Sequence, residues 1–328
     1  MLLTEILVTG YAFVIGACVG SFLNVVAWRL PLGMSLIKPA SHCPQCKTPI
    51  RFRDNVPVLG WILLRGRCRS CGCWISPRYP LVEFAVGAAF ALLAWYELAT
   101  GGSNLPPQTH LWKPIATGLP FDSVLLSVWV YHVTLISLLV IIVLIEFDGK
   151  RLTRGFYIFA VGAGIAPPLA WTVLRVASTW TTDTSARGTL LAGMIGAVLG
   201  TCLAWSFDPR RSERHRVLLF ATALGVVGLF LGEPGVCFTA IMAAVALVVF
   251  RLVNYTDFVG RGTPRSLAVL LGSLIAICYW PDVYGVELPI APVICFLQTL
   301  IVFGICVILV ATATFELHST STPNQATE

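Results

Sequence analysis

Apolar residues run along this chain in long blocks separated by short polar breaks. A helix needs about 20 apolar residues to cross a bilayer core. Blocks at 6–28, 80–98, 122–146, 156–175, 188–206, 216–232, 235–250, 266–280 and 290–313 approach or exceed that length. They predict an all-α integral membrane protein with eight or nine transmembrane helices. The sixth to eighth blocks are short, and Gly232-Glu233-Pro234-Gly235 between the sixth and seventh predicts a tight hairpin. A cleavable signal would carry basic residues before a short apolar core, whereas here Arg29 follows the first block. That block therefore reads as a retained span. The segment from His318 to Glu328 is polar and has the composition of a disordered tail.

Composition agrees and charge adds orientation. The 328 residues are 57% hydrophobic and 12% charged. Soluble domains carry about 25% charged residues, so there is too little polar surface here for a water-exposed globule. The breaks alternate between strongly and weakly basic. Segment 29–79 holds nine Lys or Arg against the single acid Asp54, and 99–121 holds only Lys113. Segments 147–155, 207–215 and 251–265 are basic again, and those between them are not. Basic loops stay on the cytoplasmic side. The alternation predicts a multi-pass protein of the cell inner (cytoplasmic) membrane, N-terminus outside, segment 29–79 inside. The net charge of +6 is thereby explained, with anionic lipid headgroups of the bilayer as the nearer partner and no nucleic acid expected.

Segment 29–79 also carries chemistry. Of the eleven cysteines, Cys18, Cys202, Cys237, Cys278, Cys295 and Cys306 are scattered in or near the blocks and read as small apolar fillers. The other five cluster as Cys43-Pro44-Gln45-Cys46 and Cys68-Arg69-Ser70-Cys71-Gly72-Cys73, with 21 residues between the knuckles. Two Cys-x-x-Cys turns at such spacing can close a tetrahedral thiolate site. In a cytoplasmic loop, disulfides rarely persist. The reading is structural zinc on Cys43, Cys46, Cys68 and Cys71, with Cys73 an alternative fourth ligand. Such a metal would pin a loop too small to build its own core.

Three blocks of sequence resemble the N-terminal region of the prepilin peptidases (type IV leader peptidases). They are Gly20-Ser21-Phe22-Leu23-Asn24-Val25-Val26-Ala27-Trp28-Arg29-Leu30-Pro31, the two cysteine knuckles, and Ile75-Ser76-Pro77-Arg78-Tyr79-Pro80-Leu81-Val82-Glu83. The resemblance implies removal of the basic leader from type IV pilin or pseudopilin precursors at the membrane. In many members it also implies methylation of the new N-terminus from S-adenosylmethionine. It places Glu83 and Gly87 in the region tied to substrate and methyl transfer. An intramembrane glutamate is costly and is a functional candidate in its own right. The implied organisation is residues 1–98 as the methyltransferase-like N-terminal region, 99–289 as the peptidase-like helical region, and 290–328 as an extra span and polar tail.

The resemblance further implies an intramembrane aspartic endopeptidase, in which two carboxyl groups share a proton and activate a water. Here Leu144-Ile145-Glu146-Phe147-Asp148 occupies the first catalytic stretch, so Glu146 stands where the family has aspartate and Asp148 follows. The second motif, Gly-x-Gly-Asp, does not occur in the sequence. Arg216 lies near its expected place, and the nearest acids are Asp208 and Glu213; Gly260-Arg261-Gly262-Thr263 comes too late in span order to replace it. Three readings follow. A displaced acid (Asp208, Glu213 or Asp257) completes the pair; or proteolysis is lost and substrate binding or methylation remains; or the chain is a non-enzymatic relative that partners an active peptidase. A transporter is a minor alternative, against which stands the scarcity of midplane charge, with His132 the clearest case and read as a bundle contact.

Overall fold

The computed structural model describes residues 2–38, 40–105, 123–170, 174, 186–207, 214–254 and 265–278. The ninth apolar block, the tail, and the acids Asp208, Glu213 and Asp257 lie outside the described residues. Eight helices are described: α1 (Leu2–Arg29), α2 (Leu59–Leu63), α3 (Arg78–Ala94), α4 (Ser123–Phe147), α5 (Arg154–Ala170), α6 (Ala186–Phe207), α7 (Arg214–Asn254) and α8 (Ser266–Cys278). A π-helical turn, Trp95–Ala99, extends α3. Among the described residues there is no strand, only the isolated bridges His42–Pro49 and Arg67–Trp74.

These sequences are apolar around most of their circumference, as helices buried in lipid or in a bundle are. Among the described residues, four stretches are long and apolar enough to cross a membrane: Leu3–Leu32, Arg78–Ala99, Ser123–Phe147 and Arg214–Gly232. Leu190–Ser206, Gly235–Val248 and Ser266–Cys278 are apolar but shorter. The first expected hairpin is seen as a break inside α7. Gly232 has φ +74, outside helical geometry, and the chain reverses there. A Cβ at Gly196 would meet both Leu224 and Val236, which a straight helix would hold about 18 Å apart.

The central element is α4. It packs against α1, α3, α5, α7 and α8, and Leu135, Ile136, Leu139, Ile142 and Ile145 are fully buried. Around it, α1 pairs with α3, and α6 with α7. The α6–α7 contact is a small-residue approach: a Cβ on Gly228 would lie 2.2 Å from the Ala192 carbonyl oxygen. Without water to squeeze out, helices in lipid gain most from such close backbone packing. Two of the polar ties between helices reach backbone: Trp129 Nε1 donates to Phe90 O (3.3 Å) and the Tyr131 hydroxyl to Gly164 O (2.9 Å). By contrast Leu3, Leu7, Tyr11 and Val14 on α1 are exposed, an apolar face not covered by the described residues. A helical bundle whose outer surface is apolar is that of a membrane protein.

Candidate metal centre and active site

The two cysteine knuckles have the same backbone construction. In the first, the Cys43 N–H donates to Thr48 O (3.0 Å) and the Lys47 N–H to Cys43 O (3.0 Å). In the second, the Cys68 N–H donates to Cys73 O (2.8 Å) and the Gly72 N–H to Cys68 O (2.9 Å). Each turn needs a left-handed residue four places after its first cysteine, Lys47 at φ +58 and Gly72 at φ +70. A bridge flanks each knuckle, His42–Pro49 and Arg67–Trp74. The loop thus turns its thiols inward before any metal is considered.

The ligand atoms of Cys43, Cys46, Cys68 and Cys71 all lie within 4.8 Å of one another, and this cluster could hold a metal ion. Cys43 Sγ is 3.8 Å from Cys71 Sγ and 3.4 Å from Cys73 Sγ. With Zn–S bonds of about 2.3 Å, the edge of a tetrahedral thiolate cage is ~3.8 Å, so the donor set fits such an ion. Cys73 is a fifth thiol at the edge of the cluster. Electrostatics divide the group. The Cys46 N–H, despite opposing burial, brings the Cys43 thiol down to about 6. Thr48, first through its side chain, holds Cys46 below the ordinary thiol value. At Cys71 the Cys73 N–H pulls down, but the neighbouring thiols and burial outweigh it and push the group up to about 12. Four thiols this close cannot all ionise without a cation among them.

The loop is clasped to the bundle by residues of all three motif blocks. Glu83 on α3 is 8% exposed and accepts a hydrogen bond from the Val58 N–H at 2.7 Å. Val58 precedes α2 with φ +61, a conformation costly for a β-branched residue. Gly20 on α1 is what lets α3 come this near, since a Cβ there would lie 2.9 Å from Glu83 Cα. Gly87 faces Phe13 of α1 in the same way. Asn24 Nδ2 spans Gly20 O (3.3 Å) and Tyr79 O (3.5 Å). Within the loop Trp61 Nε1 donates to Ile75 O (2.9 Å) and meets Trp74 edge-on. Arg69, inside the second knuckle, forms a two-pronged pair with Asp54 at 2.7 and 2.6 Å.

That last pair gives a pH dependence. Hydrogen bonding from Arg69 holds the Asp54 carboxyl below its ordinary value. A depressed folded value means the clamp is intact above the unfolded carboxyl range, about 3.9, and is lost as pH falls through the lower folded value. Protease nicking of segment 29–79 is expected to accelerate on acidification in that window, and Asp54→Asn is expected to give the fast rate already at pH 7. Equal nicking rates for wild type and variant at pH 7 would show that the pair does not clamp the loop.

The acids at the end of α4 occupy different surroundings. Glu146 is 2% exposed. It accepts hydrogen bonds from the Arg265 N–H (2.9 Å), the Ser266 N–H (2.9 Å) and the Ser266 hydroxyl (2.5 Å). It therefore caps the start of α8, where free N–H groups need an acceptor. Asp148 is ion-paired with Arg78, with Lys150 Nζ at 3.6 Å on its other side. Arg78 lies over the Phe147 ring, and Lys150 lies 4.0 Å from the centroid of Trp28. Each described partner of these two acids is a donor, and none is a second acid.

The Bacterial Peptidase A24 N-terminal domain family matches residues 14–97, the α1–loop–α3 unit just described. A prepilin leader peptidase/N-methyltransferase of Klebsiella pneumoniae is 36% identical over 202 residues, covering 60% of this chain and 71% of that protein. This chain belongs to the prepilin leader peptidase/N-methyltransferase family. A relative of the same name from Burkholderia pseudomallei (strain 1026b) is 30% identical over 261 residues, 72% of this chain and 73% of its own length. The match to the Myxococcus xanthus (strain DK1622) protein reaches 52% identity but spans 80 residues, 24% of each chain. No solved structure matches the chain.

Two buried polar residues escaped the reading of the sequence. Glu97 in the π-turn is fully buried, with His132 Nδ1 2.5 Å from its Oε1, and Asn104 is 2% exposed beside it. His132 is indeed a bundle contact, but its partner is an acid. The signal was available: Glu97 and His132 are ionisable residues within consecutive apolar blocks.

Proposed function

We propose that the chain processes pilin-like precursors at the cell inner membrane, removing the leader and methylating the exposed N-terminus from S-adenosylmethionine. The observation that carries this reading is the meeting of Gly20, Glu83 and the four-thiol cluster in one clasped unit, within residues 14–97 that the family model matches. Cys43, Cys46, Cys68 and Cys71 hold a structural zinc; bound there, the ion supplies a cross-link between the knuckles. Glu83 and Gly87, buried at the α1–α3 contact, hold the shape of the region that receives substrate and methyl donor. Residues 1–98 form the methyl-transfer region, 99–289 the peptidase region and 290–328 an added span and tail. The bundle has eight or nine spans with the N-terminus outside and the loop cytoplasmic, as the charge alternation supports.

For leader removal, Glu146 or Asp148 supplies one carboxyl of the pair, and Asp208, Glu213 or Asp257 supplies the other. The hydrogen bonding of Glu146 to α8 favours a second reading, in which the peptide bond is left intact and the N-terminal unit binds or methylates the precursor. The experiment is cleavage of every pilin-type precursor of the same cell by the purified protein in lipid, followed by mass. Loss of the leader supports the first reading. Intact leaders throughout, with a gain of one methyl group on a pre-cleaved N-terminus, support the second. No change of either kind overturns both.

A further inference from the structure

The cysteine loop carries an apolar face that neither the knuckles nor leader processing use. It centres on α2, Leu59-Gly60-Trp61-Ile62-Leu63. Trp61 turns back into the loop, donating to Ile75 O and meeting Trp74. Gly60 is buried against the preceding turn, where a Cβ would collide with the Asp54 carbonyl oxygen. Leu59, Ile62 and Leu63 are spaced to share the opposite face, and all three are exposed, Leu63 at 74%. Phe52, on the turn that Gly60 rests against, is 92% exposed. Arginines border these residues: Arg51 and Arg53 on either side of Phe52, Arg65 and Arg67 after Leu63, all exposed. The acid beside them, Asp54, is already paired with Arg69. The Glu83 clasp sets the height of this face. From Arg78, at the start of α3, Glu83 is displaced by about 8 Å along the helix. It therefore lies inside the stretch Arg78–Ala99, which is long and apolar enough to cross a membrane. The Val58 N–H reaches it at 2.7 Å, and Leu59 is the next residue. The apolar face of α2 thus starts deeper than the charged group of Arg78, Asp148 and Lys150 at the end of the bundle.

We propose that this face is seated in the membrane leaflet that the loop adjoins, with Phe52, Leu59, Ile62 and Leu63 at acyl-chain level and Arg51, Arg53, Arg65 and Arg67 on anionic headgroup phosphates. Exposed apolar patches rimmed by polar residues mark docking surfaces, and here depth and charge choose the occupant. Interfacial amphipathic segments sink their apolar side about 5–10 Å into the boundary between headgroups and acyl chains, which is the depth that the Glu83 clasp gives α2. From that depth, long arginine side chains carry their charge back up to the phosphates. Basic residues beside the bilayer are drawn to its anionic lipids. A soluble partner would have to pass the headgroups to touch Leu59. The bilayer is then a further hold on the loop, beside the Glu83 clasp and the cysteine cluster. The leaflet is the cytoplasmic one under the charge alternation, and the seat does not depend on which carboxylates act on the precursor.

The test is fluorescence of the full-length protein in vesicles of phosphatidylethanolamine and phosphatidylglycerol, with dansylalanine in place of Phe52, Leu63 or, for comparison, the exposed Gln45 of the first knuckle. Lipids brominated near the headgroup end of their acyl chains are expected to quench the probes at Phe52 and Leu63, and acrylamide in the water to quench the probe at Gln45. Probes at Phe52 and Leu63 that acrylamide quenches as strongly as the one at Gln45, with no effect of bromine, would overturn the proposal. Protection of both from both quenchers would overturn it too, because the cover would then be protein, a second copy or another part of this chain. Replacing phosphatidylglycerol by phosphatidylcholine is expected to weaken the quenching by bromine; equal quenching would overturn the assignment of the arginines to anionic phosphates. Should one labelled protein fail to fold, the other position decides.

Discussion

Replacing Cys43 and Cys46 together by serine is expected to release the loop from the bundle and to reduce precursor processing by at least about 100-fold, while α1, α3 and α4 stay packed. The thiols are the main tie between two knuckles whose remaining contacts are one exposed ion pair, a few backbone hydrogen bonds and an edge-on tryptophan pair. Exposed ion pairs contribute ~1 kcal/mol or less. Structural zinc, in contrast, binds with apparent energies of about 10–16 kcal/mol in small domains at neutral pH, and that binding is folding energy. Without the ion, close thiols and crowded arginines repel, and the strained Val58 turn loses what holds it against Glu83. Misplacement by about an ångström costs around a hundredfold in rate. The measurement pairs limited proteolysis of segment 29–79 with processing, for the variant and for wild type treated with a chelator. Cys73→Ser is expected to be near neutral, because Cys73 lies outside the group of four that converge. A double variant as protease-resistant as wild type would show that the loop stands without metal.

How much of this was legible from sequence depends on the range over which each contact acts. The knuckles were legible because a metal-binding turn is local: the cysteines, the left-handed residue and the flanking bridge fall within a few positions. The helices were legible because lipid demands long apolar runs, and the observed bounds of α1, α3 and α4 lie within a few residues of the blocks. The break at Gly232 was legible for the same local reason, glycine and proline together at one point. Gly20 was visible as a motif letter, but its job was not. Only the packed pair shows that it clears space for Glu83 on another helix. Glu97 and Asn104 were missed because nothing near them in sequence announces a partner; they meet His132 and Ile277 only once α4 and α8 are assembled. Glu146 is the sharpest case. Its position matches the first catalytic stretch by resemblance, yet its hydrogen bonds go to residues about 120 positions away.

Glu146→Ala is accordingly expected to lower stability as well as activity. The change leaves three donors, the Arg265 and Ser266 N–H groups and the Ser266 hydroxyl, without their acceptor at the start of α8. A buried donor left unsatisfied costs about 1–3 kcal/mol, and loss of a helix cap alone costs ~1 kcal/mol. Water reaching the end of the bundle recovers part of this, so a net loss of about 3 kcal/mol is expected, with thermal unfolding in detergent lowered by ~5 °C or more. Ser266→Ala removes only the hydroxyl and is expected to cost about 1 kcal/mol. The double variant should cost less than the two changes summed, because the hydroxyl has no carboxylate left to meet. Activity separates the two readings of this acid. If Glu146 works on the scissile bond, Glu146→Ala abolishes cleavage and Ser266→Ala, which keeps the carboxylate, leaves most of it. If Glu146 serves only to cap α8, cleavage in Glu146→Ala follows the folded fraction and recovers when the temperature is lowered. A Glu146→Ala protein that unfolds at the wild-type temperature would show that the carboxylate does not anchor α8. The site would then be free for catalysis alone, and the search for its partner acid would turn to Asp208 and Glu213.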